Sequence, residues 1–397
     1  MPSAIALASV PPNLERAIAG LDGSLLTAPR RSELLARAFE LRSGREKPNR
    51  FWKIDLDALD YSAIDVSAAP APKLQAPSTR GLIVCDLQTA VRDHADLVRR
   101  AFGSACDVSA SKFAALSAAL CNTGAFVYVA ADAAPAEPIE ITYDAAAALF
   151  PYTLVVLERG ANCTIVERVR GSAPFVGGIS EIVTGEGSAV TYCAVQDLAT
   201  PSRAVFTRAA KPAKDAAAVL CVAELGAALS VETIEIVTEH PGVDAQINIL
   251  FFPRSDEHVD VVSTVHHAAG DSQSHTLVKS AATGRGQARY LGNIRIAPHA
   301  QATEAALRDD ALLLSKRSHI DSVPALEIAA NDVKAYHGAT VGALDEDQIF
   351  YMTSRGIERS DAEKMIALGF FEPVVERFST KALREEIRAA LQAKVSE

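Results

Sequence analysis

The spacing of apolar and polar positions divides the chain into three textures. In the first, "PPNLERAIAGL" and "RSELLARAFELRSG" place apolar residues three and four apart, with Pro ahead of one and Gly behind the other. This is the pattern of an amphipathic helix, and it predicts helix from residue 1 to about 60. The Pro/Ala/Ser-rich piece "SAAPAPKLQAPSTR" then reads as an extended linker, so an N-terminal helical region and linker occupy 1–80. "GLIVCDLQTAVRDHADLVRRAFG" starts as strand and continues as helix, and "SKFAALSAALCNTG" adds another helix, which leaves residues up to about 124 partly helical.

From Ala125 the texture changes to short alternating runs bounded by Gly, Asn, Asp or Pro, among them "AFVYVA", "IEITYD" and "TLVVLERGANCTIVERV". These predict strands. "TLVVLERGANCTIVERV" can be laid on "SEIVTGEGSAVTYCAV" with Gly160 over Gly185, 25 residues on, about one coil of a β-solenoid. Sandwiches and barrels also contain many short strands. The strand texture, however, runs from about 125 to 335 without a long helix, and stacked coils can lengthen where a closed barrel cannot. A β-helix core over 81–338 is therefore expected, followed by a C-terminal helical module over 339–397. In that module Ser360 and Glu363 have the spacing of a capping box, and Met365, Ile366 and Phe370 form an apolar stripe. His337 reads as part of a short small-residue loop just before the module, ahead of the acidic turn "DEDQ", which suits a helix N-terminus.

Composition fits a globular chain, with 49% hydrophobic and 22% charged residues. A net charge of −10 without a basic run argues against nucleic-acid binding. Nothing approaches the roughly 20 apolar residues of a membrane span, and the first residues lack a basic leader segment, so a cytoplasmic protein is expected. Six cysteines stand singly, with no C-x-x-C pair, and read as small buried hydrophobes. The chain has no phosphate-binding G-x-x-x-x-G-K-[ST] and no G-x-S-x-G elbow, which disfavours ATP hydrolysis or nucleophilic catalysis by the chain itself. The cluster "STVHHAAGDSQSHTLVKS" is the densest group of histidines, but His266 and His267 fall on opposite faces of a strand and read as solvated or satisfied core residues.

The stretch Ala311–Ile357 carries a longer pattern. Pro324, Leu326, Glu327 and Ile328, then Asp332 and Val333, then His337 to Gly342, then Phe350 and Tyr351, then Ser354 to Ile357 match P-x-L-E-I, D-V, H-G-A-T-V-G, F-Y and S-R-G-I in order. In this the chain resembles the SufB/SufD family of iron–sulfur cluster assembly proteins, on its SufD side. One departure stands out: where most SufD-like sequences have Cys-Ser before the histidine, this one has Ala335 and Tyr336.

The resemblance implies a right-handed parallel β-helix between helical ends, in a non-catalytic scaffold subunit. It implies a heterodimer with SufB through Lys334, Tyr336, His337 and Gly338, and a homodimer when the chain is alone. It further implies that the C-terminal module, with Arg355, Gly356, Ile357, Met365, Phe370 and Phe371, holds the ATPase SufC, whose motion passes to the SufB interface. No tightly bound cofactor is implied. Iron or a nascent iron–sulfur cluster is expected transiently at that interface, resting on His337 because no thiol lies nearby, and a flavin in the complex is left open. Two rivals are a β-helix enzyme acting on polysaccharide, which would need clustered carboxylates on neighbouring coils, and a SufB-like cluster-binding subunit, which would carry cysteines in its C-terminal half; here the last is Cys221.

Overall fold

The structure is a computed structural model and describes residues 9–21, 25–41, 59–62, 64–66 and 69–396. Two helices open it, α1 (Pro12–Gly20) and α2 (Ala28–Glu40). The helix expected from 1 to about 60 is otherwise not found at the described residues 9–11, 25–27, 41 and 59–60, and 1–8, 22–24 and 42–58 lie outside the described residues. Strands β1 (Lys73–Gln75) and β2 (Leu82–Asp86) precede α3 (Leu87–Asp93), α4 (Ala95–Ala101) and α5 (Lys112–Ala119). The strand region then runs without interruption by helix. Its first half is β3 (Thr123–Val129), β4 (Ile139–Ala145), β5 (Pro151–Leu157), β6 (Asn162–Gly171), β7 (Val176–Thr184), β8 (Ala189–Leu198), β9 (Arg203–Lys211) and β10 (Ala217–Glu224). Its second half is β11 (Leu229–Thr238), β12 (Asp244–Phe251), β13 (His258–His267), β14 (Gln273–Ala282), β15 (Gln287–Ile296), β16 (Thr303–Leu313), β17 (His319–Ile328) and β18 (Val333–Ala343). Helices α6 (Glu346–Thr353), α7 (Arg359–Val375) and α8 (Lys381–Ser396) close the chain.

Even-numbered strands from β4 to β18 form one sheet and odd-numbered strands from β3 to β17 the other. Neighbours are parallel throughout, except that β1 and β2 add antiparallel to β4 and β3. The chain therefore winds between two sheets for about eight turns, the β-solenoid that the strand texture predicts. The register differs from the glycine overlay. Asn162 lies beside Ala189 and Tyr152 beside Ile179, which puts Gly160 over Gly187, two positions beyond the expected Gly185.

A backbone ladder at one corner explains that register. Asp132, Gly160, Gly187, Asp215, Gly242, Asp271 and Ala302, one per coil, all adopt positive φ. The N–H of Gly160 donates to the Glu186 carbonyl at 2.8 Å and that of Gly187 to Lys214 at 2.9 Å, so each left-handed corner is tied to the next coil. At Gly160 a Cβ would sit 2.3 Å from Asp132 Oδ1, and glycine meets both the space and the φ. Gly185, on the same loop, has no positive φ and lies outside the ladder.

Side chains alternate along each strand, and those facing the lumen are chiefly Ile, Val, Leu and Ala. A polar seam crosses this apolar interior. Tyr143 and Glu167 meet Thr153, and Arg208 donates to Glu232 and reaches Glu167 at 3.5 Å. Glu224 accepts from Gln196 at 2.9 Å and from Ser230. Burial pushes Glu224 and Glu232 above the usual carboxylate range, opposed by Arg208. Charges this deep must be paired, and one guanidinium pairs with two carboxylates, Glu167 and Glu232.

Both flanks are covered. The outer face of the odd sheet packs against α1 to α5. Two buried polar anchors fix that layer: Arg31 donates to the Ala119 and Cys121 carbonyls at 2.7 and 3.0 Å, and Glu181 accepts from the N–H groups of Gly103, Ala105 and Cys106 and from Tyr152. The outer face of the even sheet carries α7 and α8 through Phe371, Val374, Phe378, Leu383, Ile387 and Leu391. Lys394 closes this contact, donating to the Phe252 carbonyl and to Glu257, each at 2.8 Å. The expected capping box does not form: Ser360 lies inside α7, whose N-cap is Glu358, and Glu363 instead accepts from Arg359 at 2.7 Å. The buried stripe of α7 is Ala362, Ala367, Phe371, Val374 and Val375, rather than Met365, Ile366 and Phe370.

Two stability effects are expected. Arg208→Leu leaves buried carboxylates unpaired and should cost about 3–5 kcal/mol at neutral pH. Because the carboxylates are already raised in the folded chain, it binds their protons more tightly than the unfolded chain does, so the loss should shrink as pH falls towards 5 and grow towards 8. Melting temperatures across that range check the sign. Phe371→Ala should cost about 3–5 kcal/mol by opening a cavity against Phe252, whereas Met365→Ala, at an exposed site, should stay within about 0.5 kcal/mol by the same thermal assay.

Candidate functional site at the open end of the solenoid

The two ends of the solenoid are not equivalent. At the first, antiparallel β1 and β2 occupy the sheet edges and helices pack alongside. At the last, β17 pairs only with β15 and β18 only with β16, so each sheet ends on a strand with one edge unpaired among the described residues. Val323, Ile328, Tyr336 and Val341 are exposed there, Tyr336 to 65%. Exposed apolar side chains beside unpaired strand edges are the mark of a surface meant to be covered.

His337 belongs to this end. The sequence places it in a small-residue loop; the structure places it in the middle of β18, in register with Leu307 of β16. The small residues around it are strand residues after all, because β16 provides a full ladder and the corner at Ala302 donates to the Asp332 carbonyl at 2.7 Å. β18 continues through Gly338 to Ala343. Lumen-facing positions of β16 include Ala305, Leu307 and Ala311, and the register carries that face to Ala335, His337 and Val341. His337 thus faces the mouth of the lumen and is exposed, because no further coil covers it. Lys334 lies on the opposite face and donates to Glu304 at 2.6 Å, while Tyr336 and Gly338 share that outer face and are exposed.

Beneath this last coil lies Asp309, in register with Ala339 and fully buried. It accepts from Ser322 of β17 across the lumen, which ties the last strand of one sheet to the penultimate strand of the other. Desolvation pushes its carboxyl up to about 7. On the outer face, Asp310 accepts from Lys279 at 2.8 Å and from Thr340 of β18 at 2.7 Å, and Lys279 Nζ sits 4.4 Å from the ring centre of Phe370 on α7. A continuous chain of contacts therefore links α7 to the strand that holds His337.

The residues expected on the C-terminal module separate into surface and core. Arg355 and Gly356 are exposed at the end of α6, where Gly356 turns the chain with φ 87°. Ile357 and Phe370 are half-buried, Met365 is exposed to 54%, and Phe371 is core. Phe350 and Tyr351 on α6 add exposed aromatic surface to the same module. Ile357, Asp361, Lys364, Met365, Leu368 and Val395 line a shallow groove across α7 and α8. As the acidic turn predicts, Asp345 caps α6 by accepting from the Asp347 N–H at 2.9 Å.

Elsewhere the histidine cluster divides into a core residue, His267, and an exposed one, His275. His267 is buried with its ring nitrogens 2.7 and 2.8 Å from the hydroxyls of Ser272 and Ser274, and burial lowers it to about 4. No group of three or more His, Cys, Asp or Glu side chains is placed to hold a metal ion among the described residues. No helix among them is long and apolar enough to cross a membrane.

The sequence matches the SufBD protein N-terminal region across residues 47–141 and the SUF system FeS cluster assembly, SufBD core domain across residues 140–370. It is 28% identical over 356 residues to the iron–sulfur cluster assembly protein SufD of Bacillus subtilis, covering 86% of this chain and 81% of that protein. The SufD of Escherichia coli is 37% identical over 146 residues, 37% of this chain and 34% of the relative. An iron–sulfur cluster assembly SufBD family protein of Staphylococcus epidermidis is 25% identical over 301 residues, 74% of this chain and 65% of its own length. The core match spans more than half of the chain and takes in the solenoid from β5 to β18 and most of β4, together with His337 and most of α7. The chain belongs to the SufB/SufD family of iron–sulfur cluster assembly proteins, is most like SufD, and has a role in iron–sulfur cluster assembly.

Proposed function

We propose that this chain is the SufD-type scaffold subunit of a SufB–SufC–SufD complex and catalyses no reaction itself. The observation that carries the reading is the asymmetry of the solenoid: one end finishes on short antiparallel strands, the other on long parallel strands with exposed apolar side chains and His337 at its mouth. SufB covers the open end, and a second copy of this chain does so when SufB is absent. His337 then contacts iron or a nascent cluster as cargo at the junction. Neutral imidazole ligates iron, and thiolate or carboxylate from SufB completes the shell, since Ala335 stands where most SufD-like chains have cysteine.

SufC binds the C-terminal module at the groove beside Ile357 and Met365. ATP-driven movement of SufC pulls on α7, and the Phe370–Lys279–Asp310–Thr340 contacts pass that displacement to β18. Such transmission requires a handle fixed firmly to a stiff body, and the packing of α7 and α8 on the even sheet supports it.

His337→Ala should leave the circular dichroism spectrum and melting temperature nearly unchanged, within about 1 kcal/mol, because the side chain is exposed. Cluster formation on the three-protein complex, followed by iron–sulfur absorption, should fall sharply; full assembly by this variant would refute the role. Met365→Asp should abolish co-purification of SufC while the solenoid stays folded, whereas Tyr336→Asp should release SufB and keep SufC. If each variant retains both partners, the two surfaces are misassigned.

A further inference from the structure

The solenoid brings together two cysteines that the sequence keeps far apart. Cys193 on β8 and Cys221 on β10 are directly paired in register on the outer face of the even sheet, and both are fully buried beneath the turn between α7 and α8. Cys193 Sγ lies 3.4 Å from Ser379 Oγ, and the Cys221 thiol donates to the Arg377 carbonyl at 3.4 Å. Asn248 Nδ2, one coil on, lies 3.7 Å from Cys221 Sγ. Neighbouring parallel strands are about 4.8 Å apart, within the Cα separation that a disulfide spans. A groove lined by Thr191, Val219, Asn248, Arg377, Phe378 and Ser379 opens beside the pair, with both cysteines covered beneath it.

The two thiols differ from the other four. Burial pushes Cys85 and Cys121 up to about 11 and Cys163 to about 12, and it raises Cys106 as well. Cys193 alone is lowered, to about 7, first by Cys221 beside it and then, against the cost of burial, by Ser379 and the nearby Arg168 charge. Cys221 is raised in turn, first by Cys193 and then by burial. This is the division between an attacking thiolate and a resolving thiol.

We propose that Cys193 and Cys221 form a peroxide-sensitive dithiol whose closure to a disulfide unseats the turn between α7 and α8. The Cys193 thiolate attacks one peroxide oxygen: an S–O bond forms, the O–O bond breaks, and the departing hydroxide takes a proton to leave as water. Cys221, as it loses its proton, attacks the sulfur of the Cys193 sulfenic acid; the S–S bond forms, the S–O bond breaks, and a second water leaves. Two thiols lose two electrons and one hydrogen peroxide gains them. Closure removes the proton that Cys221 donates to the Arg377 carbonyl and draws the Cys193 sulfur towards Cys221 and away from Ser379, so two polar contacts of the turn with the sheet are weakened together.

The test uses the full chain, reduced and then titrated with hydrogen peroxide, with unreacted thiols alkylated under denaturing conditions before peptide mass spectrometry. The peptides of Cys193 and Cys221 should become linked at peroxide levels that leave Cys85, Cys106, Cys121 and Cys163 alkylated. Cys193 should react before the four thiols that burial raises. Cys221→Ser should trap Cys193 as a dimedone-reactive sulfenic acid, and Cys193→Ser should leave Cys221 unmodified. Amide exchange over 376–384 should quicken on oxidation of the native chain and not of Cys193→Ser. Absence of the linkage while another cysteine oxidises overturns the proposal; linkage with unchanged exchange overturns its coupling to the module. Neither outcome depends on SufB or SufC binding.

Discussion

A parallel coil cannot satisfy its own backbone. Every peptide N–H and C=O along the sheets needs a partner on the coil before or after it, so the terminal coils are left with groups that nothing inside the solenoid can pair. The chain resolves this differently at its two ends. The first ends on short antiparallel strands, β1 and β2, with no large apolar side chain exposed there among the described residues, whereas β17 and β18 end the second with apolar side chains and His337 exposed around its mouth. The candidate site is therefore less an addition to the fold than the place where the fold stops short.

The interior and the flanks make that end a stiff one. Inside, the seam through Glu167, Arg208 and Glu232 ties the coils that carry β6, β9 and β11 to one another at the expense of burying charge. Nearer the mouth, Asp309 and Ser322 bridge the two sheets just below the exposed coil. Outside, Lys394 reaches from the last helix into the even sheet, and Arg168 pairs with Glu386 of α8 at 3.0 Å. A displacement applied to the helices thus meets a body that moves as a unit rather than one that yields coil by coil.

Much of this was legible in the sequence, and the parts that were not have identifiable physical reasons. The alternation of apolar residues from Ala125 onwards revealed the strands, and their persistence without a long helix favoured a solenoid. The glycine overlay misjudged the coil length because it matched Gly160 to the nearest similar glycine, although the structural criterion was positive φ, which aspartates and an alanine also meet on other coils. His337 looked like a loop residue because small residues around it have weak strand propensity, and only pairing with β16 makes them extended. Ser360 and Glu363 had the spacing of a capping box, yet the helix begins one residue earlier, where Arg359 takes up Glu363. The pairing of Cys193 with Cys221 could not be seen without the true register, since one coil of chain separates them. Motif identity, by contrast, carried the family directly, because eighteen ordered matches between Pro324 and Ile357 do not depend on the fold being read correctly.

The unequal ends also fix how far assembly can proceed. A solenoid with both termini uncovered would have two valences and could stack head to tail into a filament. Here the exposed apolar strand residues ring only the β17–β18 pole among the described residues, so pairing through that pole uses up the surface that favours stacking. Self-limiting size is then a property of confining that surface to one pole.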